Sequence, residues 1–152
     1  MGQVNQTVFS GDRTETLSRV LIMDDDTPQA MELGAQLREC GHEVVLAYST
    51  EQARDALWHW DFDVLITDIV VRRDGRPVSD SGLSLISWVR QQTMITPGLR
   101  KLPIVAISGS QAELGMDFLL PTANRIGADV VLEKPLDIKH LDGVVQKLSA
   151  DT

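Results

Sequence analysis

Five short apolar runs, each followed directly or after a loop by apolar residues at helical spacing, constrain the fold of this chain more than any other feature. The runs are Arg19 to Met23, Glu43 to Ala47, Asp63 to Val70, Leu102 to Ile107 and Ala128 to Glu133. Runs this short and rich in β-branched residues read as strands, and the 3.6-residue spacing between them as helices. Strand and helix in alternation imply a parallel sheet covered on both faces, because each right-handed crossover returns the chain beside the strand it left. The central run, Asp63-Val64-Leu65-Ile66-Thr67-Asp68 followed by Ile69 and Val70, shows no polar alternation, as expected of a strand buried on both faces.

The intervening segments carry their own punctuation. Thr27-Pro28 opens the first helix, where the N–H that proline lacks would have no intrahelical partner. Ala30, Leu33, Leu37 and Cys40 form its apolar stripe, with Cys40 expected as a small core residue, and Gly41 ends it. Ser49 and Gln52 fit a capping box before a helix through Ala53, Ala56, Leu57 and Trp60. Val71 to Gly82 is too polar and too rich in turn residues to be an element, and reads as a long loop. Leu83, Ile86 and Val89 give a third helix that ends before Thr96-Pro97-Gly98. Gly115 and Pro121 interrupt the stretch from Gln111 to Ile126, which predicts a loop and then a short helix begun near Leu119 to Pro121 and closed by Gly127. Asp137 caps a last helix bearing Ile138, Leu141, Val144, Val145 and Leu148.

At 152 residues the length suits one domain. The expected division is a flexible N-terminal arm at 1–17, a folded unit at 18–149 and a C-terminal tail at 150–152. A formal charge of −8 argues against direct nucleic-acid binding, which needs clustered Lys and Arg. Cys40 is the single cysteine, and no charged-then-apolar leader precedes the first strand, so a reducing cytoplasm is the expected location. No apolar run approaches membrane-spanning length, and no membrane partner is expected. His42, His59 and His140 have no metal spacing and no acidic helper in the sequence, and are expected at the surface or an edge. Trp58, Trp60 and Trp88 are expected to pack. Arg72, Arg73 and Arg76 read as a solvated loop face in preference to a surface that steers an acidic partner.

Chemistry collects at the strand carboxyl ends: Asp24, Asp25 and Asp26 on the first, Asp68 on the third, Ser108 on the fourth and Lys134 on the fifth. Taken alone, Asp68 could equally be a turn residue that stops a strand. In a flavodoxin-like sheet of order 2-1-3-4-5, however, the first and third strands are neighbours at the switch point, and the acidic cluster faces Asp68 across one crevice. Carboxylates so close need a cation, and Mg²⁺ suits an oxygen site that keeps waters for phosphate to replace. Lys134 adds a positive charge and Ser108 a hydroxyl, groups suited to a phosphoryl dianion. Asp68 is left as the nucleophile.

From Arg19 to Leu148 the chain resembles the receiver domains of two-component response regulators. The resemblance rests on Val20-Leu21-Ile22-Met23-Asp24-Asp25-Asp26-Thr27-Pro28, Leu65-Ile66-Thr67-Asp68, Ile104-Val105-Ala106-Ile107-Ser108-Gly109 and Gly127-Ala128-Asp129 leading to Lys134-Pro135. It implies a (βα)5 three-layer α/β sandwich of the flavodoxin-like receiver type. It also implies that Asp68 accepts a phosphoryl group from a phosphohistidine of a sensor kinase or phosphotransfer protein, and that the chain is no enzyme beyond its own phosphoryl transfer and dephosphorylation. Asp25 and Asp68 would bind Mg²⁺ directly and Asp24 through water, with the Val70 backbone carbonyl completing the protein ligands and Mn²⁺ able to substitute. Ser108 would hydrogen-bond the phosphoryl group and move with it, Lys134 would pair with it, and the Lys134–Pro135 peptide would be cis. With only Ser149 to Thr152 after Leu148, output would run through protein-protein interaction with an unidentified target, from a monomer or weak homodimer.

Three departures stand out: the long loop from Val71 to Gly82, the long segment from Ser110 to Ile126, and Val131 three residues before Lys134, where many receivers carry Tyr or Phe. They leave open a pseudo-receiver that binds without taking phosphate. A haloacid-dehalogenase type of phosphatase fits less well, since it places its nucleophile on the first strand and Pro28 stands where its motif needs Thr or Val.

Overall fold

A computed structural model describes residues 17–69, 82–92, 97–109 and 119–150, and the paired backbone at 72–73 and 76–77. In chain order the elements are β1 (Arg19–Met23), α1 (Thr27–Glu39), β2 (Glu43–Ala47), α2 (Thr50–His59), β3 (Val64–Asp68), β4 (Arg72–Arg73), β5 (Arg76–Pro77), α3 (Gly82–Arg90), α4 (Pro97–Arg100), β6 (Ile104–Ser108), α5 (Leu119–Ile126), β7 (Val130–Glu133) and α6 (Ile138–Ala150). Five strands form one parallel sheet in the order β2-β1-β3-β6-β7, which is 2-1-3-4-5 when the sheet strands alone are counted, as expected.

The period-2 alternation of strand side chains divides the core between the two faces. Leu21, Met23, Leu65 and Ile104 point to one face, against Ala53 and Leu57 of α2, Leu85, Ile86 and Val89 of α3 and Ala123 of α5. Val20, Ile22, Ile66, Val105 and Ile107 point to the other, against Leu33 and Leu37 of α1 and Leu141 and Val145 of α6. Every residue of β3 is buried, which is why its sequence shows no polar alternation. Each such Leu or Ile removed from water contributes about 1.5–3 kcal/mol.

Helix starts follow the expected chemistry. Asp26 caps α1, its side chain accepting from the Gln29 N–H at 3.1 Å, with Pro28 in the first turn. Ser49 caps α2 by accepting from the Gln52 N–H at 3.1 Å, while the Gln52 side chain accepts from the Tyr48 N–H at 2.8 Å. Asp137 accepts from the Lys139 N–H at 3.0 Å at the start of α6. At the amino end of the sheet, Arg90 donates to the carbonyls of Leu102 at 2.7 Å, Arg100 at 2.8 Å and Gly127 at 2.8 Å, and pairs with Asp129 at 3.0 Å. This ties α3 to the approaches of β6 and β7. Gly127 fits beneath Arg90 with φ of +130°, and a Cβ there would lie 2.6 Å from Arg90 Cγ.

Several expectations need correction. The stretch from Val71 to Gly82 is not without an element: Arg72 pairs with Pro77 and Arg73 with Arg76 in a short antiparallel ribbon. The Asp74-Gly75 pair between them is a hairpin signal that overall polarity had outweighed. α4 is a single turn that the apolar spacing did not reveal. The sequence placed the last strand from Ala128, but β7 starts at Val130, and β6 runs Ile104–Ser108 where Leu102 to Ile107 was expected. Cys40 is the half-buried C-cap of α1 and not a core residue. Trp58 and Trp60, expected to pack, are 53% and 37% exposed: Trp58 lies off the α2 face that buries Ala53, Ala56 and Leu57, and Trp60 follows the last residue of α2 in extended backbone; Trp88 does pack against the core. The arm at 1–16, Val70 and the segment at 110–118 lie outside the described residues, as do the side chains of Arg72, Arg73 and Arg76.

His42 is the clearest reversal. Only 4% of it is exposed, and its Nε2 lies 2.7 Å from the Asp142 carboxylate on α6, so its acidic partner is supplied a hundred positions away. Burial pushes the Asp142 carboxyl up, but hydrogen bonds from His42 and Gln146 outweigh it and hold the group below the usual carboxylate range. A depressed folded-state pKa adds stability that is present above the unfolded value and lost as pH falls through the folded one. Asp142→Asn is therefore expected to cost about 1 kcal/mol in urea unfolding at pH 7, with the gap to the native chain closing below about pH 4. A gap that persists undiminished at pH 3 would contradict this linkage.

Candidate functional site

The sheet register assembles the site. Pairing of Met23 with Thr67 puts the next residues, Asp24 and Asp68, side by side at the carboxyl ends of β1 and β3. Both are buried, at 2% and 7% exposure, and Asp25 is half-buried beside them. The Asp24 carboxylate also accepts from the Asp26 N–H at 2.9 Å, just before α1 begins. Among the described residues, Asp24, Asp25 and Asp68 each bring one carboxylate oxygen within 4.8 Å of the others.

β6 and β7 supply the remaining groups. Ser108, 1% exposed, ends β6, and its carbonyl accepts from the Lys134 N–H at 2.8 Å. The Lys134–Pro135 peptide is cis, as the resemblance implies. The Lys134 Nζ reaches back to Asp24 Oδ2 at 3.2 Å, Asp68 Oδ2 at 3.3 Å and Gln29 Oε1 at 2.7 Å. An ammonium has three N–H donors, and three acceptors meet it here. Burial works against its charge, but the carboxylates of Asp68 and Asp24 outweigh burial and hold Lys134 above its ordinary range.

The donor set is all carboxylate oxygen, with no histidine or cysteine, which fits a hard divalent cation such as Mg²⁺ or Mn²⁺ and not a zinc site. The structure thus brings Asp24, Asp25, Asp68 and Lys134 together and sets Ser108 at the adjoining strand end. The expected Val70 carbonyl ligand lies outside the described residues. Two further residues bear on the site with no signal of that role in the sequence. Gln29, three after Asp26, fits a capping-box spacing, yet its side chain serves Lys134. Gly82, at the start of α3, lies against the backbone of Asp68 and Ile69. An open groove of about 520 Å³ leads away from the site, lined by Asp24, Gln29, Leu33, Gly109, Lys134 and Leu136.

The sequence profile of the response regulator receiver domain matches residues 20–146. The chain is 26% identical over 88% of its length to the sensory/regulatory protein RpfC of Xanthomonas campestris, covering 17% of that protein. It is 28% identical over 88% of its length to the transcriptional regulatory protein ZraR of Escherichia coli, covering 26% of that one. It therefore spans about a quarter or less of the curated relatives it matches. Among solved structures, the receiver domain of NtrX from Brucella abortus superposes with a TM-score of 0.70 at 25% identity, covering 88% of this chain and 99% of that one.

Proposed function

Because the chain belongs to the response regulator receiver domain family, a signalling family and not one of classical enzymes, we propose that it takes a phosphoryl group onto Asp68 from a phosphohistidine of a sensor kinase or phosphotransfer protein. The observation that carries this is the placement of Asp68: a buried carboxylate at the end of a central strand, 3.3 Å from a charged lysine and clustered with two further carboxylates.

An Asp68 carboxylate oxygen attacks phosphorus opposite the phosphohistidine nitrogen. The new P–O bond forms as the P–N bond breaks, and the bonding pair leaves with the imidazole, giving an acyl phosphate. Lys134 pairs with the phosphoryl oxygens, and the Ser108 hydroxyl donates to one of them. Asp24, Asp25 and Asp68 are the residues that would hold Mg²⁺, whose positive charge, when bound, offsets the repulsion between carboxylates and phosphoryl group. Attack of water on phosphorus releases phosphate and restores the Asp68 carboxylate. Output runs through binding of the phosphorylated form to another protein. The described part of the chain has no helix long and apolar enough to cross a membrane.

Phosphoramidate, a small donor with the same P–N bond, tests this reading. In the presence of Mg²⁺ it should label the chain, and neutral hydroxylamine should remove the label, as an acyl phosphate requires. A label that survives hydroxylamine would place the phosphoryl group elsewhere.

A further inference from the structure

Of the three acceptors around the Lys134 ammonium, Asp24 and Asp68 belong to the carboxylate cluster suited to a divalent cation. Gln29 does not, and at 2.7 Å its amide oxygen makes the shortest of the three contacts. A cation bound to the cluster draws on those carboxylates and repels the ammonium beside it. Lysine is a flexible point charge on a four-carbon stem, with several rotamers open to it once its partners weaken. The acceptor that keeps its lone pairs for Lys134 in that state is the Gln29 amide.

We propose that Gln29 is a positioning residue, tethering the Lys134 ammonium to α1 so that it stays over Asp68 when the cation is bound and the phosphoryl group arrives. The proposal rests on the phosphoacceptor reading of Asp68 and adds a residue to it. The position of the tether follows from the helix start. Asp26 caps α1 and fixes the Gln29 backbone N–H at 3.1 Å, so the Gln29 side chain leaves the first turn toward the crevice and not toward its own N-cap. The amide also suits the task by being neutral. A carboxylate at this point would hold the ammonium but add negative charge where a phosphoryl dianion must approach. On transfer, a phosphoryl oxygen takes over the donor that pointed at Asp68 Oδ2, while the donor to Gln29 is unchanged.

The test compares the native chain with Gln29→Met, which keeps the bulk and loses the acceptor, and Gln29→Glu, which keeps an acceptor and adds charge. The Lys134 ammonium signal in ¹⁵N NMR, assigned by its loss in Lys134→Met, is followed during Mg²⁺ titration. Slow proton exchange should persist at saturating Mg²⁺ in the native chain and speed up about tenfold in Gln29→Met. Labelling by acetyl phosphate should slow by a similar factor, with Mg²⁺ affinity within about twofold of native and unfolding unchanged. Gln29→Glu should retain the protected ammonium, bind Mg²⁺ more tightly and still label slowly. An ammonium signal and labelling rate untouched in Gln29→Met would overturn the proposal. A native chain that never accepts phosphate while its ammonium signal depends on Gln29 would instead overturn the phosphoacceptor reading and leave the tether standing.

Discussion

Replacing Gly82 with alanine is expected to cost about 3 kcal/mol or more of stability and to displace Asp68. An alanine Cβ would overlap the Asp68 carbonyl oxygen, and it would lie 2.7 Å from Ile69 Cα and 2.8 Å from the Asp68 carbonyl carbon. These are buried backbone atoms at the end of β3 and just past it, held to β6 by the Asp68–Ile107 pairing and the Ile69 N–H bond to the Ile107 carbonyl at 3.0 Å, so no flexible side chain can yield. Either α3 lifts off the sheet, exposing Leu85 and Ile86, or Asp68 shifts relative to Asp24 and Lys134. Urea unfolding and acetyl phosphate labelling read the two outcomes separately. Gly98→Ala and Gly143→Ala are the controls, since a Cβ at either meets nothing within 4 Å. Gly82→Ala with native stability and a native labelling rate would show that the approach is looser than the structure describes.

Lys134→Met should slow phosphoryl acceptance by about 10²–10³-fold, the usual effect of removing one group that stabilises developing charge in a transition state. The same change should strengthen Mg²⁺ binding by roughly tenfold, because an ammonium within 3.3 Å of Asp24 and Asp68 competes with the cation for their charge. Opposite signs in the two measurements separate this role from simple damage, which would weaken both. If Mg²⁺ binding and phosphorylation fell together, Lys134 would be holding the site's shape and not serving the phosphoryl group.

Most of the architecture was legible because it depends on local pattern. β1 and β2 fall on the expected residues, β3 ends at Asp68, and Ser49 and Asp137 each accept a backbone N–H where a helix begins. The carboxyl-end residues were legible for the same reason. Once strand order is fixed, Asp24, Asp68, Ser108 and Lys134 must gather at one end of the sheet. What stayed hidden depends on partners far away in the chain. Nothing near His42 announces Asp142, and nothing near Gln29 announces Lys134, 105 positions on. The β4–β5 ribbon was hidden differently, since its two-residue strands are too short for any period to show and only Asp74-Gly75 hints at the turn. Trp58 shows the limit of composition, for the size of an aromatic ring does not say which side of α2 meets the core.

The central claim is that Asp68 carries the phosphoryl group in a site completed by a divalent cation. Intact mass after incubation with acetyl phosphate and Mg²⁺, run beside Asp68→Asn and beside a sample with chelator, tests it most directly. The account predicts one added phosphoryl group on the native chain and none on the variant or in chelator. A native chain that stays unmodified where an ordinary receiver is labelled, or an Asp68→Asn chain that still gains the mass, would contradict it.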